Sequence, residues 1–285
     1  MKVTNHADAL MDRKRNPGWG QQGLTWWMVM IAASLFSFPA AAEEVVFLEP
    51  LFPAELDGKV PFTLKVANDT FQVDCSYGAI TGEAVSEKER DDYLKLFLPE
   101  IMLYPSEFLR KAKIQHVVLC NGLKFAGQKR SAIPSWENNT LYYDVVPGKL
   151  ASYKQLVIHH ELFHMVDVHD DGKLYADDAW SGLLPEGFRY GSGGKNAQGD
   201  DTMSLLTDAV PGFVSKYATT GVEEDKAETF AHMLLHPRYM ARRAEKEGLL
   251  EAKMHQMRRL LSAISSEMGT DFWTQVEAVS RPDDQ

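Results

Sequence analysis

The segment Val157-Ile158-His159-His160-Glu161-Leu162-Phe163-His164-Met165-Val166-Asp167 constrains this chain more than any other. Its apolar positions, with Leu156 and Val168 at the edges, predict a buried helix over 152–168. At about 100° per residue, His160 and His164 stand one turn apart on one face. Two imidazoles and a carboxylate inside a buried helix are costly unless something compensates them. A shared divalent cation does so, and it needs a third ligand from elsewhere in the chain with a fourth position left open. Glu161, one residue along, points beside such a cation, where its carboxylate can hold and deprotonate a water. His159 lies off this face and reads as a packing residue.

Three residues compete to be the third ligand. Asp170 sits six residues after His164, but that arrangement needs a glycine at 167 to turn the chain back, and Asp167 occupies the position. Asp167 itself lies on the same face as the histidines, yet about 10 Å along the axis from His160 at ~1.5 Å per residue, so it suits orienting a histidine better than holding an ion. The third is Glu228, in the segment 220–232. There Thr220 and Glu223 read as a capping box, with Glu223, Glu224 and Asp225 at the positive end of a helix. Glu228 falls further in, between Ala227 and Phe230-Ala231, on a face where an unpaired carboxylate is out of place and a metal explains it.

With these residues the sequence resembles a gluzincin, the zinc-peptidase group whose third ligand is a glutamate on a second helix. More closely, the pairing of His160–Asp167 with Tyr217 and Ala227-Glu228-Thr229-Phe230-Ala231 resembles the catalytic domain of the anthrax lethal factor type and related zinc-binding metallopeptidases of bacteria. The likeness covers the motifs and, loosely, residues 92–268. It implies a zincin-like fold and one Zn2+ held by His160, His164 and Glu228. Glu161 becomes the base, Tyr217 the stabiliser of the oxyanion, and a peptide or protein the substrate. Two departures stand out. Gluzincins carry an acid one turn after the third ligand, whereas position 232 is histidine, which leaves Asp225, Asp167 or a neutral His232 to orient a zinc histidine. Glu228 also follows His164 by 64 residues, so 170–211 must be an insertion lying over the cleft. Two readings of other classes use the same residues. One is a catalytically silent, metal-stabilised binding or assembly protein, with His232 closing the site. The other is a zinc hydrolase of non-peptide amides.

Elsewhere the pattern predicts α+β: a β-rich N-terminal lobe over 43–150 and a helical lobe over 151–285. Strands are expected at 116–119 and 139–146, and helices start near Thr220, Pro237 and Leu249. Residues 86–112 read as helical, broken by Pro99 and Pro105. Lys2, Arg13, Lys14 and Arg15 precede an apolar run from Leu24 to Phe38 and a three-alanine site at 40–42, which reads as a cleavable export signal over 1–42. The product is then periplasmic or secreted, with no membrane attachment beyond that signal. The net charge of −10 lacks a basic stretch that could track a phosphate backbone, which argues against nucleic acid as a partner. In an oxidising compartment Cys75 and Cys120 are expected to pair.

Overall fold

β5 (His116–Phe125) is the axis of the molecule. Val117, Val118, Leu119 and Cys120 are all buried, so both faces of this strand must be covered. Its first half pairs in parallel with β2 (Thr63–Ala67) on one side and β8 (Thr140–Asp144) on the other. β1 (Leu48–Leu51) and β7 (Ala132–Ser135) extend these pairs antiparallel. The second half of β5 pairs instead with β4 (Gly78–Glu83) and β6 (Gln128–Lys129), and β3 (Phe71–Cys75) lies beyond β4. The computed structural model describes residues 48–146, 148–191, 193, 203–279 and 281; the leader expected over 1–42 falls outside them. The result is mixed α/β, built on an open eight-stranded sheet.

Helices cover one face of the sheet, where Val117 and Leu119 join their core. α1 (Glu87–Ile101) starts at a capping box made by Ser86 and Glu89. Pro99 does not break it: the proline sits in the last turn, where Phe97 and Ile101 remain buried, and Pro105 instead opens α2 (Ser106–Lys111). Both helices pack against α3 (Ala151–Asp171), so the half expected to be β-rich carries helices that support the later one. α3 buries Ile158, Leu162, Phe163, Met165 and Val166, which together contribute on the order of 10 kcal/mol. Gly172 ends it in the left-handed region at φ 78°, returning its N–H to Val168. After α4 (Asp178–Ser181) and a 3-10 turn at Tyr217–Thr219 come α5 (Val222–Leu235), α6 (Pro237–Ala244), α7 (Gly248–Ile264) and α8 (Thr270–Ala278). Every residue of α5 is buried. Among the described residues no helix is long and apolar enough to cross a membrane.

A buried polar set ties α3 to its bed. The Glu100 carboxylate accepts two bonds from Arg281, at 2.8 and 2.7 Å, and one of 2.5 Å from Gln155; it lies 3.0 Å from His159 Nε2. The other nitrogen of His159 meets the Tyr104 hydroxyl at 2.6 Å. Burial alone would raise the pKa of Glu100, but Arg281 and His159 hold it below the usual carboxylate range. His159 therefore packs beneath the helix, as its position off the face of His160 and His164 predicts.

The expected disulfide is absent; Cys75 and Cys120 are both free thiols. The reason is register. Cys120 lies beside Gly82, whose strand partner is Phe71, and Cys75 is four residues further along β3, about 13 Å at ~3.3 Å per residue. A disulfide tolerates no more than ~7 Å between Cα atoms. Unfolding the oxidised, purified chain without reductant should therefore expose two titratable thiols to a maleimide; a count of zero would restore the bridge.

Candidate metal centre

α3 and α5 meet along the face that carries His160 and His164. Their rings are edge to face, with centroids 4.7 Å apart and Nε2 atoms 3.0 Å apart. Glu224, in the first turn of α5, places Oε2 at 3.0 Å from His160 Nε2 and 3.4 Å from His164 Nε2. Among the described residues these three form the group whose donor atoms converge closely enough to hold a metal ion. Two ring nitrogens facing each other are repulsive unless a proton or a cation lies between them. A tetrahedral ion bound at about 2.0–2.1 Å spaces its ligands roughly 3.3 Å apart, close to the separations seen. The residues thus fit a divalent cation of the zinc type.

The sequence reading took Glu228 as the third ligand; in the structure the carboxylate that converges with both Nε2 atoms is that of Glu224. Glu228 lies on the opposite side of His160, with Oε1 3.0 Å from Nδ1, while its Oε2 accepts a 2.5 Å bond from Ser215. It is one turn beyond Glu224 on the same helix face, so the two acids bracket the His160 ring, Glu228 at Nδ1 and Glu224 at Nε2. Burial pushes the His160 pKa down, but the hydrogen bonds with Glu224 and Glu228 outweigh it and hold the imidazole well above its ordinary value. Burial raises Glu228 and Glu224 in turn, and the histidines pull both below the usual range, Glu228 to about 2.

The other acids of this region have different partners. Glu223, Glu224 and Asp225 do stand in the first turn of α5, but buried, and the Thr220 capping box does not form: Gly221 is the N-cap, and the Thr220 hydroxyl donates to the Tyr217 carbonyl in the preceding 3-10 turn. Asp225 pairs with the buried Lys253 at 2.7 Å and accepts bonds from Trp180 and Tyr190, which fastens these two aromatics to α5. Asp167 accepts from Lys226, which also meets Asp177. Asp170 is exposed. His232 stays outside the convergent group, with Nε2 3.8 Å from Glu228.

A cleft of about 550 Å³ opens beside the cluster, lined by His160, Glu161, Glu228 and Tyr217 together with Met203 and Ser204 of the insertion. Burial raises the Glu161 pKa, a rise that the His160 and His164 charges oppose. Tyr217 donates its hydroxyl to Glu224 Oε1 at 3.0 Å, and its ring centroid is 5.9 Å from that of His160. The structure thus gathers His160, His164, Glu161, Tyr217 and Glu228 at one place, and adds Glu224, which the sequence reading had assigned to capping. The signal for Glu224 was the histidine at 232: taking Glu224 as third ligand puts an acid, Glu228, one turn later.

Comparison with known proteins bears on the fold. No family profile matches the sequence, and no curated protein matches it significantly. A crystal structure from Bacteroides caccae, described as a "putative zinc-binding metallo-peptidase", is similar with a TM-score of 0.53 at 16% identity, covering 79% of this chain and 89% of that one. At that identity the likeness establishes a shared fold.

Glu224→Ala is expected to abolish binding of added Zn2+, measured by competition with a chromophoric chelator. Glu228→Gln should only weaken it, about 10- to 100-fold. Complete loss with Glu228→Gln and unchanged binding with Glu224→Ala would return Glu228 to the ligand set.

Proposed function

We propose that this chain is a zinc-dependent peptidase of the gluzincin type, in which His160, His164 and Glu224 hold one Zn2+ and Glu228 orients His160. The convergence of two Nε2 atoms and a carboxylate beside a cleft that also contains Glu161 carries the reading. A shared fold with a protein described as a zinc-binding metallo-peptidase supports it. His232, the candidate for closing a structural site, stands apart from the donors, which favours an ion with one side open to the cleft.

When bound, the ion supplies Lewis acidity to a carbonyl and acidifies a water. The remaining steps belong to the chain. Glu161 takes a proton from the attacking water and passes it to the nitrogen of the leaving amine. Its raised pKa makes it the stronger base for the first transfer, and the leaving amine, more basic still, draws the proton on. Tyr217 turns its hydroxyl from Glu224 to the carbonyl oxygen as negative charge develops there. Glu228 and Ser215 keep the His160 ring from rotating. With the export signal read at 1–42, the enzyme acts outside the cytoplasm.

A digest of a mixed peptide library by the full chain tests the proposal: cleavage should cease on treatment with 1,10-phenanthroline and return with Zn2+. Glu161→Gln should keep its zinc while turnover falls about 10²- to 10⁴-fold, and Tyr217→Phe should lose about 10²-fold in kcat. Wild-type turnover by the Gln variant would remove Glu161 from the mechanism.

A further inference from the structure

The cleft beside the cluster runs along α3. Tyr153, Val157 and Glu161 all line it and follow one another at intervals of four, so they share one side of the helix, each about 6 Å along the axis from the next at ~1.5 Å per residue. Ser131 and Ala132, where β7 begins, line the same cleft, and β7 packs on α3. Two turns from Glu161 the cleft is crossed: the Tyr153 hydroxyl meets the Ser131 hydroxyl at 3.1 Å and joins helix to strand. Between the base and this crossbar α3 presents the half-buried Val157, while Ala132 and Met203 line the cleft beside it. The charged groups of the cleft have work elsewhere. The Glu161 carboxylate acts on Arg130 at the metal end. Towards the start of α3, Lys154 donates to the carbonyls of Val145 and Val146 at 3.1 and 2.9 Å, Asp144 accepts the Val146 N–H at 3.0 Å, and Lys149 Nζ lies 5.2 Å from the Tyr153 ring centroid. Groups already engaged gain little from a charged ligand, whereas Val157, Ala132 and Met203 gain from being covered by an apolar one.

We infer that this stretch takes one apolar side chain of the substrate, and that Tyr153, pinned by Ser131, is the specificity-determining residue that limits the length of that side chain. The inference rests on the peptidase reading and adds a substrate class to it. A side chain entering beside Glu161 passes Val157 after one turn of helix and meets the tyrosine ring after the second. The bond to Ser131 holds that ring across the path, so the gauge consists of a ring and a pin that substitution can separate. Tyr153 stands in the first turn of α3, about 10 Å along the axis from His160 at ~1.5 Å per residue, so changing it leaves the metal donors in place.

The test is binding to full-length, zinc-loaded Glu161→Gln, read by fluorescence anisotropy with labelled glycine peptides. Each carries a single variable residue: Ala, Leu, Phe, biphenylalanine, Asp or Lys. Leu is expected to bind about tenfold tighter than Ala, biphenylalanine to fall back, and Asp and Lys to bind no tighter than Ala. Adding Tyr153→Ala should raise the ratio of biphenylalanine to Leu affinity about tenfold. Tyr153→Phe, which keeps the ring and removes the pin, should raise it less, and Tyr153→Trp should lower the ratio of Phe to Leu. Ratios are taken within one protein, where a general loosening of the fold moves both affinities alike. Ratios unmoved by Tyr153→Ala and Tyr153→Trp, tighter binding of Asp or Lys than of Leu, or failure of every peptide to bind overturns the inference. Digestion of the same set by wild-type chain separates the two readings. Ranked binding without any cleavage removes the peptidase reading and leaves the gauge, whereas cleavage without the ranking removes the gauge alone.

Discussion

One imidazole held between two carboxylates organises this molecule. His160 meets Glu224 through Nε2 and Glu228 through Nδ1, and both acids come from α5, a helix with no solvent-facing side. Buried carboxylates without partners are among the most expensive features a fold can contain. Here each acid satisfies a different edge of the same ring, so the contact that removes the penalty also sets the rotation of the ring. The rest of α5 follows the same logic, with Asp225 matched by Lys253 and Lys226 by Asp167 and Asp177. A helix this charged can be central only because its neighbours were chosen to answer it.

That matching also gives the insertion a structural purpose. Trp180 and Tyr190 both donate to Asp225, and the backbone N–H groups of Gly191 and Gly193 reach the carbonyls of Thr219 and Thr220 just before α5 begins. Trp180, Tyr190, Gly191 and Gly193 are thereby fastened to the start of α5 and to the residue next to Glu224. The far end of the insertion contributes Met203 and Ser204 to the cleft, and the Met203 carbonyl accepts the N–H of Tyr217. Position of the insertion and position of the tyrosine are one fact.

Much of the site could be read in the amino-acid sequence, because spacing along a helix fixes faces without reference to anything else. His160, His164 and Glu161 needed only the helical period, and the arrival of a carboxylate from the helix near 228 followed from charge at a packed position. Which carboxylate arrives depends on how far α5 slides along α3, a quantity set by side-chain packing between two helices; Glu224 and Glu228 lie one turn apart on the same face and look alike until that offset is known. The Thr220 capping box failed for a related reason, since a 3-10 turn consumes the threonine before the helix starts. The cysteine pairing required strand register, which compartment chemistry does not determine. Pro99 was overridden by the burial of its neighbours in α1.

The grip of Arg281 on Glu100 has a temporal side. A carboxylate in α1 waits for a guanidinium that is 181 positions later in the chain. Until residue 281 emerges from the ribosome, seating α1 beneath the histidine-bearing helix would bury an anion without its main counter-charge. The support beneath His160 and His164 is therefore completed only once residue 281 is in place, long after both histidines have been made.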